Sequence, residues 1–495
     1  MIRRASENDF SGVRRLYQSG ISHMRASGLH QWEYGVYPDD RILRDDILNG
    51  ELFVCEEQDR LTGVFALNAR AEEAYLDVSW LFGIQPVYLH RLLVAPESLR
   101  QGVALKALEW MAREAVTRGH DTLRLDAFTL NHPALRLYKR FGMRPAGDIY
   151  MNGRSDPYRC FEKPLRGDSP MLPVPMTPAW RYGIDTPWGG DRLQTCFNKK
   201  APGALAGESL EVSAMPGLNS LGPMGEPLQE MISRYGRPLL GTDAQETFPL
   251  LLKLIDAREP LSVQVHPDDD YACQHEHGKS GKEEAWVVLQ ADKNAGLICG
   301  LKEGVALQTL RETLDTGADA EALLRRIPVR PMDVLFIPAG CVHAIGAGIV
   351  LYEIQQSSDL TYRLYDYNRR GADGKKRALH IDKALEVCNP SVSPAVIRVP
   401  RLPGVTRLLD TQSFSLDSVH VRGRLALPRF SSWALLTALE DVVLHVEDTR
   451  IPAEKGRTFL IPASCPPLVL SGRGRALIAI PPAPGRIPAI EGGEK

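Results

Sequence analysis

A glutamine and a histidine two residues apart in an extended run can present donor atoms to one ion, and LSVQVHPDDDY offers that pair at Gln264 and His266. Side chains alternate faces along a strand, so these two share one. Pro267 holds His266 in extended backbone. Farther on, GKEEAW supplies Glu283 and Glu284, and AGCVHAIG supplies His343 after a glycine turn. Two imidazoles, a carboxylate and an amide oxygen make an open site for zinc or a similar divalent ion, with a position left for water or substrate. Spacing alone leaves the two glutamates equivalent, and any chain of this size holds histidines that merely satisfy core or surface hydrogen bonds.

A second feature precedes it. YLHRLLVAPESLRQGVALKALEWMAREA reads as a strand, a proline-broken turn and an amphipathic helix, with Gly102 at the helix start. Free N–H groups there make a natural pyrophosphate seat. A single glycine fits a plain strand-to-helix connection equally well.

These residues need at least two folded bodies to position them. The chain has 495 residues, and single cores stop growing near roughly 250–300. The 59 basic and 61 acidic side chains nearly cancel, so no nucleic-acid partner is expected. The opening MIRRASENDFSGVRRLYQSG lacks the apolar run of a signal peptide, and no stretch reaches the ~20 apolar residues of a membrane span. A cytoplasmic protein with no membrane partner is expected. Eight cysteines without a C-x-x-C pair read as reduced thiols.

Residues 1–165 alternate helix-like and strand-like segments. RGDSPMLPVPMTPAW, with four prolines from Pro170 to Pro178, reads as a semi-rigid linker over 166–179. Beyond it, short runs such as LSVQVHP, DVLFIPAG and IVLYEIQQ, broken by Gly and Pro, predict an antiparallel sandwich or barrel. VALQTLRETLDTGADAEALLRRI has helical spacing and reads as a helical insert. PMDVLFIPAGCVHAI and EKGRTFLIPASCPPLVL share Ile-Pro-Ala and a cysteine two residues on, which predicts two copies of one β module. His343 falls opposite Pro467, so only the first copy can carry such a metal site.

LLKLIDAREPLSVQVHPDDDYA, GKEEAW, FIPAGCVHAIGAG and QQSSDLTYRLYDYNRRG, in this order and spacing, resemble consecutive blocks of the short bacterial type I mannose-6-phosphate isomerases, over roughly Trp180–Pro390. The resemblance implies Gln264, His266, Glu284 and His343 as ligands of Zn2+ or a similar divalent metal. Glu284 is preferred to Glu283 because the family's ligand stands two residues after a lysine, here Lys282. It also implies Arg363 in TYRLYDY as the catalytic arginine, Lys253 and Ser262 near the sugar phosphate, and Lys282 as a third substrate group. The implied reaction interconverts mannose 6-phosphate and fructose 6-phosphate. A proton moves between neighbouring carbons through a cis-enediol whose oxyanion needs fixed positive charge, supplied by the metal and Arg363, while the lysines position the phosphate. The base stays open among Glu283, Glu284 and a metal-bound water. GESLEVSAMP departs from the family, with Met215 where a histidine is frequent and Leu210 in place of a tryptophan.

DTLRLDAFTLNHPALRLYKRFGMRPAG gives a strand, a loop with Asn131, and a short helix with Tyr138 before Gly142. Together with the Gly102 segment it resembles the second half of a GNAT-type N-acetyltransferase. The resemblance implies acetyl-CoA as cosubstrate, held at Gln101, Gly102, Val103, Ala104 and Asn131, with Tyr138 protonating the leaving thiolate, a task that suits a phenol of pKa ~10. Leu99 stands where the motif has Arg or Gln, and Arg100 is one residue late. The amine acceptor is not legible.

The two resemblances imply a multidomain chain: an α/β GNAT acetyltransferase domain (1–165), the Pro-rich linker (166–179), then an all-β double-cupin (β-barrel or jelly-roll) part with a small helical insert. That part comprises a metal-binding isomerase domain (180–395) and a degenerate second cupin module (396–495). The rival reading is an acetyltransferase whose cupin part senses sugar phosphate without turning it over.

Overall fold

Strands β2 (Leu52–Glu57) and β3 (Arg60–Asn68) set the layers of the N-terminal unit by simple alternation. Phe53, Cys55, Phe65 and Leu67 enter one core, whereas Leu52, Val54, Val64 and Ala66 enter the other. The computed structural model describes residues 1–151, 155–242, 248–370, 374–399 and 402–482. It divides into two units, Met1–Leu172 with Ser464–Pro466, and Pro173–Ala463 with Pro467–Lys495. Among the described residues no helix is long and apolar enough to cross a membrane.

With β1 (Ile2–Arg4), β4 (Pro86–Val94), β5 (Thr122–Phe128), β6 (Arg144–Ile149) and β7 (Tyr158–Pro164), the first unit's sheet has seven strands in the order β1-β2-β3-β4-β5-β7-β6. Among the described residues of this sheet only β4 and β5 run parallel, and such a pair needs a crossover. Helix α3 (Val103–Thr117) provides it, burying Ala107, Leu108, Met111 and Ala115 at helical spacing against one face. Helices α1 (Phe10–Ala26) and α2 (Asp40–Leu48) cover the other. The β4/β5 ladder runs from Pro86↔Thr122 to Leu89↔Leu125 and stops, although β4 stays bonded to β3 as far as Val94 and β5 to β7 as far as Phe128. The two strands part there and leave a cleft.

In the second unit a seven-stranded sheet faces a five-stranded one. The first holds Leu250–Ala257, Glu284–Ala291 and Ile349–Gln356 near its middle; the second centres on His343–Ile345 and Val263–Val265. Ile255, Trp286, Leu335 and Leu351 from one sheet meet Leu297, Cys299 and Ile345 from the other in the core between them. The outer face of the five-stranded sheet buries Val263, Val265 and Tyr362 against helices Leu307–Asp315 and Ile381–Val387. A further eight-stranded sheet contains Ser415–Ala426 and Leu468–Ile480. Residues 483–495, the tail of the expected second module, lie outside the described residues.

Two segments differ from their sequence reading. The helical spacing over VALQTLRETLDTGADAEALLRRI produces an α-helix only at Leu307–Asp315; Gly317, at φ 70°, follows its end, and Leu324–Pro328 pairs as a strand with Gly296–Leu301. Edge pairing wins there over local helix propensity. The proline-rich run carries the boundary between the units, and its Val174–Pro175 joins the eight-stranded sheet beside Phe459 and Leu460. Proline is tolerated at such an edge because the missing N–H faces away from the ladder.

Candidate functional site

Register explains why the metal-binding candidates meet. Gln264 lies opposite both His343 and Arg363 in the five-stranded sheet. His266, two residues on, takes the same face, and its carbonyl is fixed by Gly340 N at 2.9 Å. Glu284 opens a strand of the facing sheet and closes the ring from the other side. Its Oε1 is 3.3 Å from His343 Nε2 and its Oε2 is 3.6 Å from His266 Nε2. All three are buried, with exposures of 0–1 %.

The protonation states suit a cation. Burial, reinforced by Lys282, pulls His266 down to about 3, and burial likewise lowers His343. Burial works to raise the Glu284 carboxyl, but Lys282 and the two imidazoles outweigh it and hold it well below the usual range. At neutral pH the site is therefore two neutral rings and one carboxylate. His343 Nδ1 bonds the Cys341 carbonyl at 2.9 Å, which turns its Nε2 lone pair inward. The Gln264 amide approaches His343 Nε2 at 3.2 Å, and a half-turn of that amide exchanges N–H for oxygen. Neither Glu284 oxygen accepts a well-aligned hydrogen bond, and Lys282 Nζ, 2.9 Å from Oε2 and 3.1 Å from His266 Nε2, is the positive charge nearest it. A buried carboxylate left short of hydrogen-bond partners between two neutral imidazoles fits a divalent ion.

Beside it lies a cavity of about 310 Å³. Gln264, Lys253, Ser262, Lys282 and Arg363 all line it, so the structure brings the sequence candidates of this unit together. Arg363 is half-buried, its Nη1 donating to the Ala378 carbonyl at 2.9 Å and its Nε to Ser262 Oγ at 3.3 Å. Lys253 is more enclosed than a phosphate ligand needs: its Nζ sits 3.1 Å from Glu353 Oε1 and 3.8 Å from Glu208 Oε2.

Glu353, Glu208 and Arg181 also line the cavity and were not singled out from sequence. Glu353 had a readable signal, a lone carboxylate inside the apolar run IVLYEIQQ. Its Oε2 accepts from Trp286 Nε1 at 3.0 Å, and burial raises its pKa against the pull of Lys253. Glu283 points elsewhere, its Oε2 accepting from Ser413 Oγ.

In the first unit, Gly102 caps α3 at φ 81°, a left-handed conformation open to glycine at no steric cost. The first intrahelical bond runs from Lys106 N to Gly102 O, so the amides of Val103 and Ala104 have no helical acceptor. Gln101 folds back to the Glu97 carbonyl. Tyr138, on α4 (His132–Arg140), borders a cavity in the β4/β5 cleft while packing on Phe161, and burial raises its phenol so that it stays protonated. Asn131 lines the same cavity but is engaged already, its Oδ1 capping α4 at Ala134 N and its Nδ2 donating to Gln31.

Residues 21–143 match the acetyltransferase (GNAT) family and residues 219–285 the catalytic domain of type I phosphomannose isomerase. A mannose-6-phosphate isomerase of Streptococcus mutans is 38% identical over 260 residues, covering 51% of this chain and 81% of the relative. Mannose-6-phosphate isomerase ManA of Bacillus subtilis is 33% identical over 310 residues, 59% of this chain and 94% of the relative. The crystal structure of the mannose 6-phosphate isomerase from Bacillus subtilis aligns with a TM-score of 0.57 at 31% identity, over 62% of this chain and 99% of that one. The chain belongs to the type I mannose-6-phosphate isomerase family and carries a GNAT-family acetyltransferase domain ahead of that part.

Proposed function

We propose that the C-terminal unit interconverts mannose 6-phosphate and fructose 6-phosphate around a divalent cation, Zn2+ by donor type, held by Gln264, His266, Glu284 and His343, and that the N-terminal unit transfers acetyl from acetyl-CoA to an amine. The observation that carries the isomerase reading is the buried convergence of two neutral imidazoles and one carboxylate beside a charged cavity. The cation, when bound, supplies Lewis-acid stabilisation of the enediol oxyanion. Arg363 adds a permanent positive charge at the cavity wall. Ser262 and Lys282 bind the substrate, and Arg181, held by Glu208 only at 3.5 Å, is a further cation for its phosphate.

The proton between the two carbons is carried by Glu353, the cavity carboxylate whose Oε1 accepts no well-aligned hydrogen bond and is ion-paired to Lys253 at 3.1 Å. Lys253 steadies Glu353 rather than gripping phosphate, since two carboxylates already balance it. The paired sheets of the second unit support a double-cupin reading with its insert at Leu307–Asp315, and the free cysteines a reducing, cytoplasmic setting.

The test is formation of fructose 6-phosphate from mannose 6-phosphate by the full chain, before and after chelation. Turnover that chelation abolishes supports the reading. Tight binding without turnover points instead to a sugar-phosphate sensor.

A further inference from the structure

The cleft between the parting ends of β4 and β5 closes around a cavity of about 120 Å³ that joins carboxylates to aromatic rings. Asp126 on β5 and Glu72 ahead of β4 supply the carboxylates; Trp32, Tyr37 and Tyr158 supply flat apolar surface. Asp126 is half-buried, its Oδ1 accepting from Tyr75 Oη. The permanent cation among the described lining residues, Arg91, is paired with Asp46 and with the Tyr37 hydroxyl. His90, 3.6 Å from Glu72, is drawn down to about 4 by burial and by Arg91, so it adds no positive charge at neutral pH. Among the described lining residues the wall thus presents two carboxylates and no cation without a protein partner, and such a field concentrates positive ligands.

We propose that this cavity is the acceptor site of the acetyltransferase domain and takes a small primary amine that arrives as an ammonium on an apolar or aromatic body, with Asp126 removing its proton. The proposal rests on the acetyltransferase reading of this unit. Charge selects the ammonium, and the rings favour it further by cation–π attraction. An amino sugar phosphate is rejected, because its dianion would face Asp126 and Glu72 with no unpaired described cation beside them. The small volume excludes a bulky acceptor.

The chemistry balances on residues already in the cavity. The ammonium gives one proton to Asp126, whose carboxyl burial lifts to about 6 and so makes a better base than an ordinary aspartate. The freed nitrogen forms a bond to the thioester carbon of acetyl-CoA. The tetrahedral adduct then breaks its C–S bond, and the coenzyme thiolate takes the proton of Tyr138. The phenolate regains a proton from the new amide nitrogen, and Asp126 returns its own to solvent. Amide, coenzyme thiol and one proton leave.

The experiment uses the full chain with acetyl-CoA, measuring coenzyme binding by calorimetry and thiol release with phenethylamine, phenylalanine and glucosamine 6-phosphate. The expected result is a kcat/KM for phenethylamine roughly tenfold or more above the other two. Asp126→Asn should lower it about 100-fold or more with acetyl-CoA affinity unchanged. Glu72→Gln, at a half-exposed side chain, should raise the amine KM several-fold and spare kcat. Preference for glucosamine 6-phosphate, an Asp126→Asn variant at full rate, or coenzyme binding without acetylation of phenethylamine would each overturn the proposal alone. Failure of the wild-type chain to bind acetyl-CoA would remove the acetyltransferase reading and the proposal with it.

Discussion

Glu353→Gln separates proton transfer from architecture in the isomerase site. The amide keeps the side chain's volume, and its oxygen can still accept from Trp286 Nε1, now bonded at 3.0 Å. With that oxygen turned to Trp286, the new amide nitrogen stands where Oε1 faced Lys253 Nζ at 3.1 Å, but Glu208 at 3.8 Å remains as the ammonium's counter-charge, so the cost stays below the roughly 3–5 kcal/mol of a fully stranded buried ion. What the variant loses is a titratable oxygen facing the cavity. Positioned proton transfer contributes about 10²–10⁴-fold, which at 1.36 kcal/mol per tenfold is about 2.7–5.4 kcal/mol of barrier. The expected outcome is a kcat lower by about that factor and a KM for mannose 6-phosphate within about threefold of wild type. A coupled assay for fructose 6-phosphate at saturating substrate, run beside metal analysis and circular dichroism, makes the measurement. A folded, metal-loaded variant with kcat within about threefold of wild type would refute the assignment and return the proton to another group.

Three further outcomes follow from the geometry. In chelated protein, His266 has a folded pKa of about 3 against ~6.5 unfolded; the unfolded state therefore binds the proton first, and stability present above pH ~6.5 drains away as pH falls toward 3, by at most about 4–5 kcal/mol. His266→Gln should flatten that acid titration, and equal slopes for both proteins would contradict the burial argument. Gly102→Val forces a β-branched residue into φ 81° at a strain on the order of 1–2 kcal/mol, so acetyl-CoA affinity by calorimetry should fall about tenfold, and unchanged affinity would remove this turn from the coenzyme site. Tyr138→Phe should slow acetyl transfer by about 10²-fold or more while coenzyme binding persists; equal rates would reduce Tyr138 to a ring packed on Phe161.

The first unit's strand, turn and helix around Gly102 were legible because each announces itself locally: a β run, a proline, then apolar residues at helical spacing. Gln264 and His266 were legible as a pair because period two is a local property. Their meeting with Glu284 across two sheets was not, since that depends on register between strands far apart in sequence; the family resemblance supplied it. Lys253 shows the limit most plainly. The family resemblance implied a place near the sugar phosphate, and what no local pattern announced is that the fold brings Glu208 and Glu353 from neighbouring strands onto its ammonium. Leu324–Pro328 marks another limit, where non-local pairing with Gly296–Leu301 overrides helical spacing.

A zinc-edge anomalous diffraction map of the full chain addresses the metal centre most directly. The expected result is one peak between Glu284 and the Nε2 atoms of His266 and His343, within reach of the Gln264 amide and lost in His266→Ala together with sugar-phosphate turnover. Active crystals with no peak there, or with their metal bound elsewhere, would contradict the four-residue site.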